Sequence, residues 1–140
     1  MSTATPLRHR ALPGTSSLRA SARAAALRGE PLVVMTTLDG CPYCDLVRQY
    51  LVPMSDAGTV HALQIDIRDR QSRLEDFQGR ASTPAEQASL YKARFAPTVL
   101  FLGPAGQELA ERLVGMAVPD LYGAYLEARL DESRARLRRG

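Results

Sequence analysis

Hydrophobic and polar positions alternate along the chain in a way that changes period several times. Residues 18–29 place Leu18, Ala22, Ala25 and Ala26 on one helical face, behind the capping residues Thr15, Ser16 and Ser17 and ahead of a terminating Gly29. Leu32-Val33-Val34-Met35-Thr36-Thr37 is an apolar, partly β-branched run, the pattern of a strand covered on both faces. After Cys44, Val47 and Leu51 sit four apart, as do Leu46 and Tyr50, which predicts a helix broken by Pro53 and Gly58. From 60 to 67, Leu63, Ile65 and Ile67 oppose Gln64 and Asp66, a second strand.

Residues 68–82 are polar and charged and read as a loop or a short helix. Thr83-Pro84-Ala85-Glu86 combines a cap, a first-turn proline and a glutamate three on, and predicts a helix to about residue 94. Ala96-Pro97-Thr98-Val99-Leu100-Phe101-Leu102 reads as a strand, Gly103-Pro104-Ala105-Gly106 as a turn, and 107–114 as the returning strand of a hairpin. Pro119 and Asp120 open a last helix with Tyr122, Tyr125, Leu126 and Leu130 on one face and arginines at its C-terminal end. The order α-β-α-β-α-β-β-α predicts one mixed sheet with helices on both faces. Residues 1–14 lack periodicity, contain Pro6, Pro13 and Gly14, and are expected to be a flexible tail before a domain spanning 15–140.

Composition narrows the picture. A length of 140 residues with 45% hydrophobic content suits a single core-bearing domain and argues against a disordered chain. No apolar run approaches the length of a membrane span. The formal charge of +3 is unevenly spread: residues 1–29 hold five arginines and no acid, and 129–140 hold five arginines with two acids. Residues 30–128 carry eight basic against thirteen acidic side chains, a net −5, so the body offers no polyanion-binding surface. The arginine-rich, acid-free start is compatible with a transit peptide but lacks the apolar core of a secretory signal; we read it as a helix behind a tail.

The two cysteines lie within one motif, Cys41-Pro42-Tyr43-Cys44, at the predicted start of a helix. There the unpaired N–H groups and the positive dipole end stabilise an anion, so Cys41 is expected to be the more acidic thiol. Cys44, one turn inside the helix, suits attack on a mixed disulfide formed at Cys41, and Pro42 has no N–H to leave unpaired. Zinc would need four ligands, and two cysteines with His9 and His61 make a poor set. A purely structural role is disfavoured because so short a loop removes little unfolded-chain entropy. Paired thiolates also suit Cu(I), which leaves a copper-binding redox module as an alternative.

Strand, CxxC, helix, strand, helix, Ala96-Pro97-Thr98, hairpin, Gly115 and terminal helix together resemble the thioredoxin superfamily over residues 31–130. The resemblance implies an α/β thioredoxin fold, with a central mixed sheet of about four strands, helices on both faces and an extra N-terminal helix. It implies thiol–disulfide exchange with protein substrates, with Cys41 attacking, Cys44 resolving, and Ala96-Pro97 as the backbone against which a substrate chain pairs; Pro42 and Tyr43 complete the expected substrate contacts. The expected partners are a protein disulfide and an external thiol donor or oxidant protein, with no cofactor, metal, nucleic acid or membrane span, and the chain is expected to be a monomer. The leading helix and the long segment after the second strand resemble the bacterial periplasmic thioredoxin-like reductases, which implies a reductase in the periplasm, with the cytoplasm as the alternative.

Departures from the family pattern are specific. Thioredoxins carry Trp-Cys-Gly-Pro-Cys, whereas Gly40 precedes this motif, Pro-Tyr fills it and the chain has no tryptophan. They also carry a buried acid six residues before the first cysteine, where this chain has Met35. Cys-Pro-Tyr-Cys is the glutaredoxin tetrapeptide, and a glutathione-dependent enzyme is a further alternative. Glutaredoxins, however, follow it with Thr-Val-Pro and Gly-Gly-x-Asp, where this chain has Phe95-Ala96-Pro97 and Val114-Gly115-Met116-Ala117.

Overall fold

The sheet is organised around β1 (Leu32–Thr37), whose six residues are all buried. Its side chains alternate: Val33 and Met35 join one core, Leu32 and Val34 the other. The computed structural model describes residues 10–116 and 118–140. β1 pairs in parallel with β2 (His61–Asp66) and antiparallel with β5 (Thr98–Leu102), and β5 pairs antiparallel with β6 (Leu113–Val114). The spatial order is therefore β2-β1-β5-β6. A parallel pair needs a crossover, and α2 (Pro42–Asp56) supplies it.

Both faces are covered, as a central parallel strand requires. One carries α2, through Cys44, Val47, Leu51 and Val52, and α4 (Tyr122–Arg139), through Tyr122, Leu126 and Leu130. The other carries α1 (Leu18–Leu27), through Leu18, Ala22 and Ala25, and α3 (Pro84–Leu90), through Ala88. The sequence-predicted caps form: Ser17 Oγ accepts from the Ala20 N–H at 3.0 Å and Thr83 Oγ1 from the Glu86 N–H at 3.1 Å. The α/β class, the four-stranded mixed sheet and the extra first helix all match expectation.

Several boundaries differ, each for a local reason. α2 runs through Pro53 to Asp56. A proline inside a helix costs about 3 kcal/mol; here it falls in the last turns, and burial of Leu51 and Val52 immediately before it offsets the loss. Within 68–82 there is a hairpin, β3 (Leu74–Glu75) and β4 (Ala81–Ser82), instead of a loop or helix. Its turn closes on the buried Asp76, whose Oδ1 accepts from the Gln78 and Arg80 N–H groups at 2.9 and 2.8 Å. α3 stops at Leu90, short of residue 94, because Lys92 adopts a positive φ of 55°. The returning strand expected over 107–114 is reduced to β6 and a single bridge from Glu108 to Leu102. Tyr125 is exposed rather than inward, and a 3₁₀ turn, Pro119–Leu121, precedes α4.

Of the stretch expected as a tail, residues 1–9 lie outside the described residues, whereas 10–14 lie along the edge strand β2. The Gln64 N–H donates to the Pro13 carbonyl at 2.9 Å, the Leu12 N–H donates to Gln64 Oε1 at 3.0 Å, and Arg10 pairs with Asp56 at 2.7 Å. The Leu12 side chain is 4% exposed and belongs to the core beneath α2 and α4. Leu12→Ala is therefore expected to lower unfolding stability by about 2–4 kcal/mol, read by denaturant titration. A change within a few tenths would mean that this segment does not dock in solution.

Candidate active site

β1 ends at Thr37, and residues 38–40 turn the chain into α2 with Gly40 at φ 71°, a conformation that a side chain would oppose. Cys41 is the N-cap of α2, and Pro42 opens the first turn. The Cys44 N–H, with no intrahelical partner, points at Cys41 Sγ at 3.2 Å. The two cysteines are joined as a disulfide, with Cα atoms 5.2 Å apart. Their environments differ: Cys44 is 0% exposed and packed in the core with Met35 and Val47, whereas Cys41 is partly exposed at the edge of that core.

Opposite the motif stands the start of β5. The Ala96–Pro97 peptide bond is cis, and the Ala96 carbonyl oxygen lies 3.8 Å from Cys41 Sγ. This wall is braced from beneath. Thr36 Oγ1 accepts from the Thr98 N–H at 2.8 Å and donates to the Phe95 carbonyl at 3.2 Å; the Thr98 hydroxyl donates to the same carbonyl. The Gly115 N–H donates to the Pro97 carbonyl at 2.7 Å, tying the wall to β6. The structure thus brings Cys41, Cys44 and Ala96 together, with Pro97 buried behind and Pro42 and Tyr43 at the exposed start of α2.

Thr36 and Gly115 carry this arrangement without having stood out as site residues in the sequence. The available signal for Thr36 was a pair of threonines closing an otherwise apolar buried run. An exposed apolar rim surrounds the cysteines: Tyr43 is 56% and Phe95 63% exposed, and the Phe95 ring lies against Gly115. Beside Gly115 a cavity of about 190 Å³ is lined by Leu113, Val114, Val118, Tyr122 and Tyr125, with Arg112 and Arg129 at its walls. Larger hollows, such as one of about 470 Å³ along α3, belong to the other face of the sheet and away from the cysteines.

The charges nearest the motif along the chain are Asp39 before it and the paired Asp45 and Arg48 after it. Met35 shares the core with Cys44 and brings only an apolar side chain to it. Asp76, the buried carboxylate among the described residues, belongs to the hairpin on the opposite face. Burial, with a smaller contribution from Tyr50, pushes the Tyr122 phenol well above its usual range, so it stays neutral in the core behind the motif. Among the described residues no three His, Cys, Asp or Glu side chains gather to hold a metal ion. His61 lies on β2, while His9 is outside the described residues.

Comparison with known proteins agrees with this geometry. A family model described as a thioredoxin-like domain matches residues 18–130. No curated protein sequence matches the chain. Among solved structures, a thioredoxin from Nicotiana alata is similar with a TM-score of 0.57 at 17% identity, over 93% of this chain and 99% of that one. Thioredoxin O2 from Arabidopsis thaliana in its oxidised state gives 0.55 at 15% identity, over 83% and 91%. A DsbH oxidoreductase gives 0.55 at 18% identity, over 94% and 92%. At such identities these likenesses speak for the fold, while the family match covers most of the chain. With a disulfide-bonded pair of cysteines at the N-terminus of α2, the chain belongs to the thioredoxin-like domain family and is a thiol–disulfide oxidoreductase.

Proposed function

We infer that the protein reduces disulfides in protein substrates, with Cys41 as the attacking thiol and Cys44 as the resolving one. The observation that carries this reading is the unequal burial of the two sulfurs at one helix start, facing the Ala96 carbonyl. In the reduced protein, the Cys41 thiolate attacks one sulfur of a substrate disulfide, and the other substrate sulfur leaves as a thiolate. Cys44, as its thiolate, then attacks Cys41 Sγ, closing the Cys41–Cys44 bond and expelling the first substrate sulfur. Two electrons pass to the substrate, and an external thiol donor restores the pair. The Cys44 N–H and the dipole of α2 stabilise the Cys41 anion. Met35 offers no carboxylate to take the Cys44 proton.

Substrate class follows from the rim. Ala96 and Pro97 offer an extended backbone beside the reacting sulfur, and Pro42 and Tyr43 flank it. Tyr43 and Phe95 offer exposed apolar surface suited to side chains of an extended protein chain, and Val114-Gly115-Met116-Ala117 stands where a glutathione-binding Gly-Gly-x-Asp would be. The reductase direction and a periplasmic location rest on the resemblance to the bacterial periplasmic reductases.

Cys44→Ser should accumulate a mixed disulfide with substrate through Cys41, visible as a mass adduct, while Cys41→Ser should not; equal trapping by both would reverse the roles. The Cys41–Cys44 potential, equilibrated against a glutathione buffer, should lie nearer about −270 mV than about −120 mV, and a value at the upper end would make the protein an oxidant. Insulin should be reduced far faster than a glutathionylated peptide. Thr36→Val leaves the Thr98 N–H without its acceptor, which should cost about 1–3 kcal/mol of stability and lower kcat/KM for insulin as the Ala96 wall shifts; unchanged kinetics would show that the wall does not meet substrate.

A further inference from the structure

Arg48 lies in α2 one turn beyond Cys44, and its side chain is only 11% exposed. A guanidinium is costly to bury unless its N–H groups are answered. Nη2 donates to Asp45 Oδ1 at 2.8 Å, and Nη1 donates to Thr37 Oγ1 at 2.9 Å and to Gln64 Oε1 at 3.3 Å. These acceptors stand on three elements: the first turn of α2, the last residue of β1 and the edge strand β2. Thr37 and Asp45 bracket residues 38–41, so one planar fork ties together both ends of the segment that delivers Cys41.

Asp45 is the acid of the first turn of α2 and the sequence neighbour of Cys44. Helical side chains lean toward the N-terminus. A free carboxylate there is drawn to the same unpaired N–H groups and the same dipole end that stabilise a thiolate. Two anions sharing one set of donors raise each other's pKa. In the structure, Asp45 is paired instead with Arg48, three residues further along the helix.

We propose that Arg48 is a positioning residue for disulfide exchange: its fork holds Asp45 away from the start of α2 and clamps the 38–41 segment, leaving the N-terminal N–H groups to the Cys41 sulfur. Arg48 acts through Asp45 and Thr37 and does not touch substrate. The inference rests on the reading of Cys41 as the attacking thiol.

The test titrates the single thiol of Cys44→Ser protein by ultraviolet absorbance, alone and combined with Arg48→Met, Asp45→Asn or both. Asp39 in the loop, Asp66 opposite Thr37 at the end of β2, and Arg94 beside Phe95 are the same in all four proteins. Arg48→Met should raise the Cys41 pKa by about 0.5 unit or more where Asp45 is present, and by less than about half of that in the Asp45→Asn background. No shift, or equal shifts in the two backgrounds, would overturn the proposal, since a bare charge effect or a loss of packing does not depend on Asp45. Should Arg48→Met fail to fold, Asp45→Asn alone decides. With Arg48 in place it should move the pKa by under about 0.2 unit, and a large fall would show that the carboxylate already reaches the sulfur. A Cys41 pKa near the free-thiol value of about 8.5 in the parent Cys44→Ser protein would instead sink the attacking-thiol reading itself.

Discussion

The first N–H groups of an α-helix have no carbonyl to bond within the helix, and the site exists because one of them is given to sulfur. At the start of α2 the Cys44 N–H meets Cys41 Sγ at 3.2 Å, where a capping serine or threonine oxygen would otherwise serve. That exchange is favourable only if the helix start stays fixed and partly dry. β1 provides the fixing: all six of its residues are buried, and it carries the chain to residues 38–40, immediately before Cys41. The remainder of the fold holds β1 in place, with α2 and α4 on one face and α1, α3 and the β3–β4 hairpin on the other.

The opposite wall depends on the same strand. Thr36 is a β1 residue, and its hydroxyl both accepts from the Thr98 N–H and donates to the Phe95 carbonyl. One buried side chain thereby links the strand that leads to Cys41 with the segment that faces it. Inside a sheet, an uncompensated hydroxyl would be a liability; here it answers backbone groups that the start of β5 leaves without ladder partners. Arg48 does the comparable job on the other side, bridging Thr37 to α2.

Much of this was legible along the chain. The run from Leu32 to Thr37, the caps at Ser17 and Thr83 and the position of the cysteine motif all act through neighbours within a few residues, so local pattern reported them faithfully. The misses share another cause. The β3–β4 hairpin has strands of two residues, too short for an alternation to register, and is held by Asp76. Leu12 looked like part of a tail because its partners, Gln64 and the core beneath α2, are distant in sequence. Pro53 reads as a helix breaker wherever the packing on either side is unseen.

Residue identity and close spacing along the chain established the chemistry available, two thiols at a helix start and a proline opening a later strand. The resemblance to thioredoxins added that Met35 stands where they carry a buried acid. Only the tertiary structure decided how unequal the two sulfurs are, that Ala96 lies 3.8 Å from one of them, and that Thr36, Gly115 and Arg48 hold the surroundings. The reason is physical. Burial and long-range hydrogen bonds arise from strands β1, β5 and β6 coming side by side, and that pairing brings together residues dozens of positions apart in the chain.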